Sequence, residues 1–298
     1  MTAATAESVD GARSPWTVLT VGVLAASLSP ILVRYAEDAP ALALSFYRCA
    51  FGALLLFPFA WKRLRTMTAR DFAIPAVAGA FLALHFASWI TSLSLTSVAA
   101  SVVLVSTTPI FVAASSRILF NDRLSPVGWV GIGLGLVGTA LISSGSTGGS
   151  SLRGDLLALT GGALAAGYFL STQKARRTLG ILEYSVATYG SAAVILLIMC
   201  AIGRVELTGY DAQTWWAIAG VIVISQLIGH TLINFVLKDI DATTVAMSVM
   251  VEPILATALA YFLFSETPAA LVYPGGVAVL VGIYMVTTLR RPIPVVVE

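Results

Sequence analysis

Ten apolar stretches of span length follow one another along the chain, at about 16–34, 39–61, 72–95, 96–120, 125–143, 154–173, 182–203, 214–237, 241–264 and 268–289. A helix needs roughly 20 mostly apolar residues to cross the hydrocarbon core of a bilayer. Barrel strands are excluded, because they would show polar and apolar residues alternating over about 10 positions. The pattern predicts an all-α integral membrane protein of ten transmembrane helices, with no segment left for an extramembrane domain. The first 15 residues lack the basic stretch that opens a cleavable signal peptide, so the first helix is expected to be retained.

Composition agrees: 58% of residues are hydrophobic and 11% charged, and the mean hydropathy of +0.91 is far above that of a soluble domain. Lysine and arginine set the orientation. With a cytoplasmic N-terminus, 13 of them fall on the cytoplasmic side (Arg13, Lys62, Arg63, Arg65, Arg70, Arg117, Arg123, Lys174, Arg176, Arg177, Lys238, Arg290, Arg291) and three outside (Arg34, Arg153, Arg204). The positive-inside rule then places both termini of a multi-pass protein in the cytoplasm. The seventeenth, Arg48, lies inside the second span. The net charge of +2 reflects topology and gives no reason to expect nucleic acid. Cys49 and Cys200 fall within spans, where a free thiol packs as a small hydrophobe.

An internal repeat changes the picture further. A shift of 144 positions lays "TTPIFVAASSRILFND" (107–122) on "VEPILATALAYFLFSE" (251–266), so that Pro109 meets Pro253 and Asp122 meets Glu266; Gly131 then meets Gly275, and "LVG" recurs at 136–138 and 280–282. The chain divides into 1–143, a Gly/Ser linker at 144–153 and 154–298, with five helices in each half. Because five is odd, the second half must cross the membrane upside down. Two inverted five-helix repeats around a central cavity are an architecture of secondary transporters, with the substrate site near mid-membrane between them.

Polar residues inside spans are costly in hydrocarbon, so they face protein or water. Gln226, His230 and Asn234 recur every fourth residue in the eighth span, which puts them on one helical face. Phe81, His85 and Trp89 have the same spacing in the third span, one residue off the repeat register. These stripes either line a path or bond helix to helix. Glu252, beside Pro253 in the ninth span, is either a partner for a substrate ammonium or proton, or a carboxyl satisfied at a proline kink. Arg48 has the parallel choice between an anion contact and structural pairing. Tyr168 lies near the stripes, where an aromatic ring could stack on an amphipathic solute. "GWVGIGLGLVG" (128–138) carries the small-xxx-small spacing of close helix packing; as a dinucleotide fingerprint it would need a strand, which ten spans do not provide.

"FYRCAFGALLLF" in the second span, "TTPIFVAASSRILFNDRLSPVGWVGIGLGLVG" in the fourth and fifth, and "EPILATALAYFLFSETP" in the ninth and tenth resemble the EamA branch of the drug/metabolite transporter superfamily, and within it the bacterial aromatic amino acid exporters known as YddG. The resemblance implies a basket of ten helices around a central cavity that exports amino acids and related metabolites. It implies scaffold or gating roles for Arg48, Pro109, Asp122, Pro253 and Glu266. Glu252 departs from the family, which often has an apolar residue there.

The expected function is export of aromatic and other large neutral amino acids, and of related amphipathic metabolites, by alternating access; the alternative is a multidrug or lipid-like solute exporter of the same fold. The expected path residues are Phe81, His85, Trp89, Tyr168, Gln226, His230, Asn234 and Glu252. A nucleotide-sugar carrier would want several buried cations for phosphate, and only Arg48 qualifies. Two histidines and one glutamate could hold a metal in principle, but no H-E-x-x-H or G-x-S-x-G occurs in a supporting context. Neither an enzyme nor a bound cofactor or metal is expected. The expected partners are the solute and the bilayer, and a monomer is expected.

Overall fold

The structure is a computed structural model that describes residues 14–144, 151–264 and 268–289. Its α-helices are α1 (Pro15–Ala26), α2 (Ser29–Tyr35), α3 (Ala41–Leu64), α4 (Ala69–Leu93), α5 (Val98–Val105), α6 (Thr108–Leu119), α7 (Pro126–Ser143), α8 (Leu152–Ala175), α9 (Ile181–Gly203), α10 (Ala212–Gly220), α11 (Thr231–Val236), α12 (Ala242–Val249), α13 (Glu252–Phe264) and α14 (Val272–Tyr284). Val221–His230 and Met285–Leu289 are π-helical. Among the described residues no strand occurs.

Nine of the described helical stretches are long and apolar enough to cross a membrane, against the ten expected. The sixth predicted span is present as α8, 24 residues long, but its four glycines and the run Ser171, Thr172, Gln173 and Lys174 make it less apolar than the rest. It packs along α4, α5 and α6, and its Ala158, Ala166, Tyr168, Leu170 and Ala175 are buried. A helix enclosed by other helices has little need of the oily surface that lipid demands. The outer surface of the molecule does have it: Ile118, Trp216, Ile202 and Phe262 are mostly exposed, as side chains facing hydrocarbon can be.

Several spans expected as single helices are broken. The first interrupts at Ser27 and Leu28, the fourth at Ser106 and Thr107, and the ninth at Met250 and Val251. A kink at Pro253 within a continuous helix was expected. Instead Pro253, like Pro109, stands in the first turn of a new helix, α13 and α6 respectively, where its missing N–H leaves no bond unmade. The two interrupted spans correspond closely in position: α5 and α12 begin 144 residues apart, as do α6 and α13.

α7 and α14 pack in opposite directions through glycine. A Cβ on Gly138 would stand 2.5 Å from the Gly275 carbonyl oxygen, and one on Gly131 would stand 2.9 Å from that of Gly282. The backbones therefore approach more closely than any side chain would allow. The main apolar core lies among α3, α4, α8 and α9, around Cys49, Leu82, Phe86, Tyr168, Tyr189 and Leu196. Helix starts are fixed by polar caps: Thr68 and Asp71 form a capping box on α4, and Asp241 accepts from the Thr244 amide at 3.0 Å. Asp211 accepts from the Thr214 amide at 2.7 Å, a bond that favours the ionised carboxylate and holds its pKa below the ordinary aspartate value.

Asp122 follows α6 in the connection to α7, its amide donating to the Ser116 carbonyl at 3.3 Å. Its expected counterpart Glu266 lies outside the described residues, as do linker positions 145–150.

Candidate functional site

A cavity of about 660 Å³ opens between the breaks in the first, fourth and ninth spans, within the range of small-molecule sites. Its walls come from α2, α4, α5, α6, α7, α8, α12 and α13, with α1, α3, α11 and the π-helical segment supplying single residues. Helix interruptions suit such a place, because side chains and cavity water can satisfy backbone groups that would be stranded in lipid. Along the bundle the cavity reaches Arg34, Leu93 and Ser143, at the ends of α2, α4 and α7.

Most of the wall is apolar, with few charged groups. Arg48 projects from α3 and is 1% exposed. Its Nε donates to Gln226 Oε1 at 2.9 Å, and its guanidinium lies 4.0 Å from the centre of the Phe86 ring, a cation–π contact that strengthens away from water. Its Nη2 is buried without a partner. Glu252, the first residue of α13, is half-buried and also faces the cavity. The two do not meet as an ion pair.

His85 and Trp89 stack with ring centres 5.9 Å apart and planes within 6°. His85 Nδ1 is 2.9 Å from the Gly161 carbonyl. A carbonyl can only accept, so Nδ1 carries the hydrogen, and in the neutral ring Nε2 is left as an acceptor. His230 meets Phe86 edge to face at 5.5 Å; its Nδ1 and the Trp89 indole N–H are both buried without partners. Unpaired groups of this kind around a cavity are what a solute or ordered water would satisfy.

Of the expected path residues, His85, Trp89, His230 and Glu252 line this cavity, together with Arg48, Pro109 and Pro253. Phe81, Tyr168, Gln226 and Asn234 do not. Gln226 lies one layer behind, holding Arg48. Phe81 packs against the main core. Tyr168 and Asn234 belong to a buried polar cluster beyond the cavity floor. There the Tyr168 hydroxyl donates to Asn234 Oδ1 at 2.7 Å, and Asn234 Nδ2 donates to the Tyr189 hydroxyl at 3.2 Å. Tyr184 and Thr172 pair at 2.6 Å, and Arg176 Nε donates to the Asn234 carbonyl at 3.3 Å. These bonds join α8, α9 and α11.

The stripe of Gln226, His230 and Asn234 separates by depth along the bundle: Gln226 bonds Arg48, His230 reaches the cavity, and Asn234 bonds Tyr168 and Tyr189. Residues 221–230 are π-helical, and the Thr231 amide bonds five residues back to Gln226. The sequence reading also passed over Ser29, a cavity residue whose hydroxyl is buried and unpaired. Ser29 adjoins Pro30 after a run of small residues, the one local sign of a break in the first span.

Comparison with known proteins supplies the family. A model of the EamA-like transporter family matches the chain twice, at residues 15–144 and 152–288. The chain is 25% identical over 246 residues to the uncharacterised transporter YdfC of Bacillus subtilis (strain 168), covering 80% of this chain and 79% of that one. It is 24% identical over 257 residues to an uncharacterised transporter of Archaeoglobus fulgidus, covering 82% and 86%. To the uncharacterised inner membrane transporter YedA of Escherichia coli (strain K12) it is 27% identical over 168 residues, covering 55% and 54%. A solved crystal structure superposes with a TM-score of 0.78 at 16% identity, over 92% of this chain and 96% of that one, which speaks to fold alone. With an all-helical body, an apolar outer surface and a family match over both halves, this chain belongs to the EamA-like transporter family of the drug/metabolite transporter superfamily and is a multi-pass membrane transporter.

Proposed function

We propose that the transporter exports aromatic and other large neutral amino acids, with related amphipathic metabolites, across the bacterial inner membrane. The observation that carries this reading is the cavity itself: about 660 Å³, mostly apolar, edged with aromatic rings, and lined by two arginines, Arg34 and Arg48, and one glutamate. Rings such as Trp89 and Phe86 offer stacking faces worth about 0.5–1.5 kcal/mol beyond burial. A second side-chain charge on the solute would enter without a partner and lose its hydration.

Movement is by alternating access between two inverted five-helix repeats, 1–143 and 154–298, joined by the linker at 144–153. Three observations support the inversion. Helix breaks lie 144 residues apart in the fourth and ninth spans, the family model matches each half, and α7 and α14, equivalent under that shift, run in opposite directions. Both termini are cytoplasmic by the lysine and arginine bias.

Counterflow of labelled amino acids into proteoliposomes tests the reading. Phenylalanine and tryptophan should accumulate well ahead of lysine and glutamate, and without an imposed proton gradient. Preference for lysine or glutamate overturns the substrate class; accumulation only under a proton gradient overturns passive movement.

A further inference from the structure

We infer that Arg48 and Glu252 form a split receptor for a zwitterion, Arg48 taking the solute's carboxylate and Glu252 its ammonium, and that this pair selects solutes carrying one charge of each sign. The inference rests on the amino acid reading above and gives Arg48 a task beyond the scaffold.

Among the described residues no carboxylate stands within ion-pair distance of Arg48. Burying a guanidinium without one is expensive, and a neutral amide and a ring face compensate only in part. Gln226 and Phe86 do, however, fix its orientation: the bond to Gln226 uses Nε, Phe86 lies against the guanidinium, and Nη2 is left unpaired in a side chain that lines the cavity. A held, half-used guanidinium is preorganised for a carboxylate. Arg176 makes the contrast: its Nε and Nη1 donate to the carbonyls of Asn234 and Leu179, the arrangement of an arginine whose work is structural.

Glu252 faces the same cavity from another wall. It stands at the start of α13, and its side chain makes no hydrogen bond among the described residues. Opposite charges on two walls of one cavity that do not meet as a pair make a site that is dipolar in shape, with Arg34 at the cavity's end. Such a site complements a dipolar solute and leaves any solute of net charge with one group unmatched. The apolar wall around Trp89 and Phe169 then receives the side chain.

Three related probes separate the two seats: L-phenylalanine, 3-phenylpropanoate, which lacks the ammonium, and phenethylamine, which lacks the carboxylate. Each is titrated calorimetrically into the full chain in nanodiscs, with empty nanodiscs subtracted. Wild type should bind phenylalanine at least about tenfold more tightly than either analogue, because each lost contact is a hydrogen bond to an ionised group. Arg48→Gln should abolish the preference over phenethylamine and keep that over 3-phenylpropanoate; Glu252→Gln should do the reverse. If Arg48→Gln does not fold, the wild-type ratios and Glu252→Gln decide. Equal binding of all three by wild type, or loss of both preferences in one variant, overturns the split receptor and leaves the carrier reading standing. Failure of wild type to bind phenylalanine at all overturns both.

Discussion

Asn234 and His230 sit four residues apart and look alike in the sequence as polar groups in an apolar span, yet the structure gives them different surroundings. Asn234 is fully buried and joins two tyrosine hydroxyls, those of Tyr168 and Tyr189. His230 faces the cavity with its Nδ1 unpaired. Asn234→Leu should therefore strand the Tyr168 hydroxyl, at about 1–3 kcal/mol for a buried group left unsatisfied, and leave the Tyr189 hydroxyl with Thr231 as its remaining partner. His230→Leu loses no hydrogen bond made by Nδ1, only the ring contacts with Phe86 and Tyr168. Thermal unfolding in detergent should show Asn234→Leu melting several degrees below wild type and His230→Leu close to it, while counterflow falls in His230→Leu. Equal destabilisation by the two would return His230 to the packing role. That polar residues cluster here was legible from their cost in lipid. Which of them reach the cavity was not, because hydrophobic spacing does not record how deep along the bundle a cavity ends.

At the scale of the element, glycine shows the same limit. The run "GWVGIGLGLVG" announces a close helix contact, but Gly133 is spaced from its neighbours much as Gly131 and Gly135 are from theirs, and α14 could not be named as the partner from α7 alone. In the structure a Cβ on Gly138 would press on backbone atoms of Gly275 and Val279 at 2.5 and 2.7 Å, whereas one on Gly133 would meet nothing within 4 Å. Gly138→Ala should thus force the helices apart, at about 1–3 kcal/mol. Gly133→Ala should be neutral or stabilising, since alanine favours a helix by up to about 1 kcal/mol over glycine. Thermal melts of the two variants side by side check this, and a Gly138→Ala protein as stable as wild type would mean that α7 and α14 do not pack as described. The spans themselves were readable because lipid demands a long apolar run. The interruptions within them were not, apart from Pro109 and Pro253, because a broken helix lining a cavity has the same composition as an intact one.

Across the whole molecule, the cavity reaches one membrane face and ends short of the other. Its lining includes Arg34, Leu93 and Thr257, while beyond its floor the cluster of Tyr168, Asn234, Tyr189 and Arg176 ties α8, α9 and α11 together. The face it reaches is the one that carries few lysines and arginines; on the orientation proposed above from the positive-inside rule, this state is open to the outside. Cysteine labelling tests that assignment on a quiet background, because Cys49 and Cys200 are buried at 0% and 1% exposure. Thr257→Cys and Leu93→Cys should react with a membrane-impermeant maleimide added outside intact cells. Thr231→Cys, buried beside the Tyr189 hydroxyl, should not. Phenylalanine should slow the reaction at Thr257→Cys, one turn along α13 from Glu252 and on the same wall, by occupying the space the reagent must enter. Labelling of Thr257→Cys only from the cytoplasmic side would reverse the orientation, and with it the direction in which an outward-open cavity releases its solute.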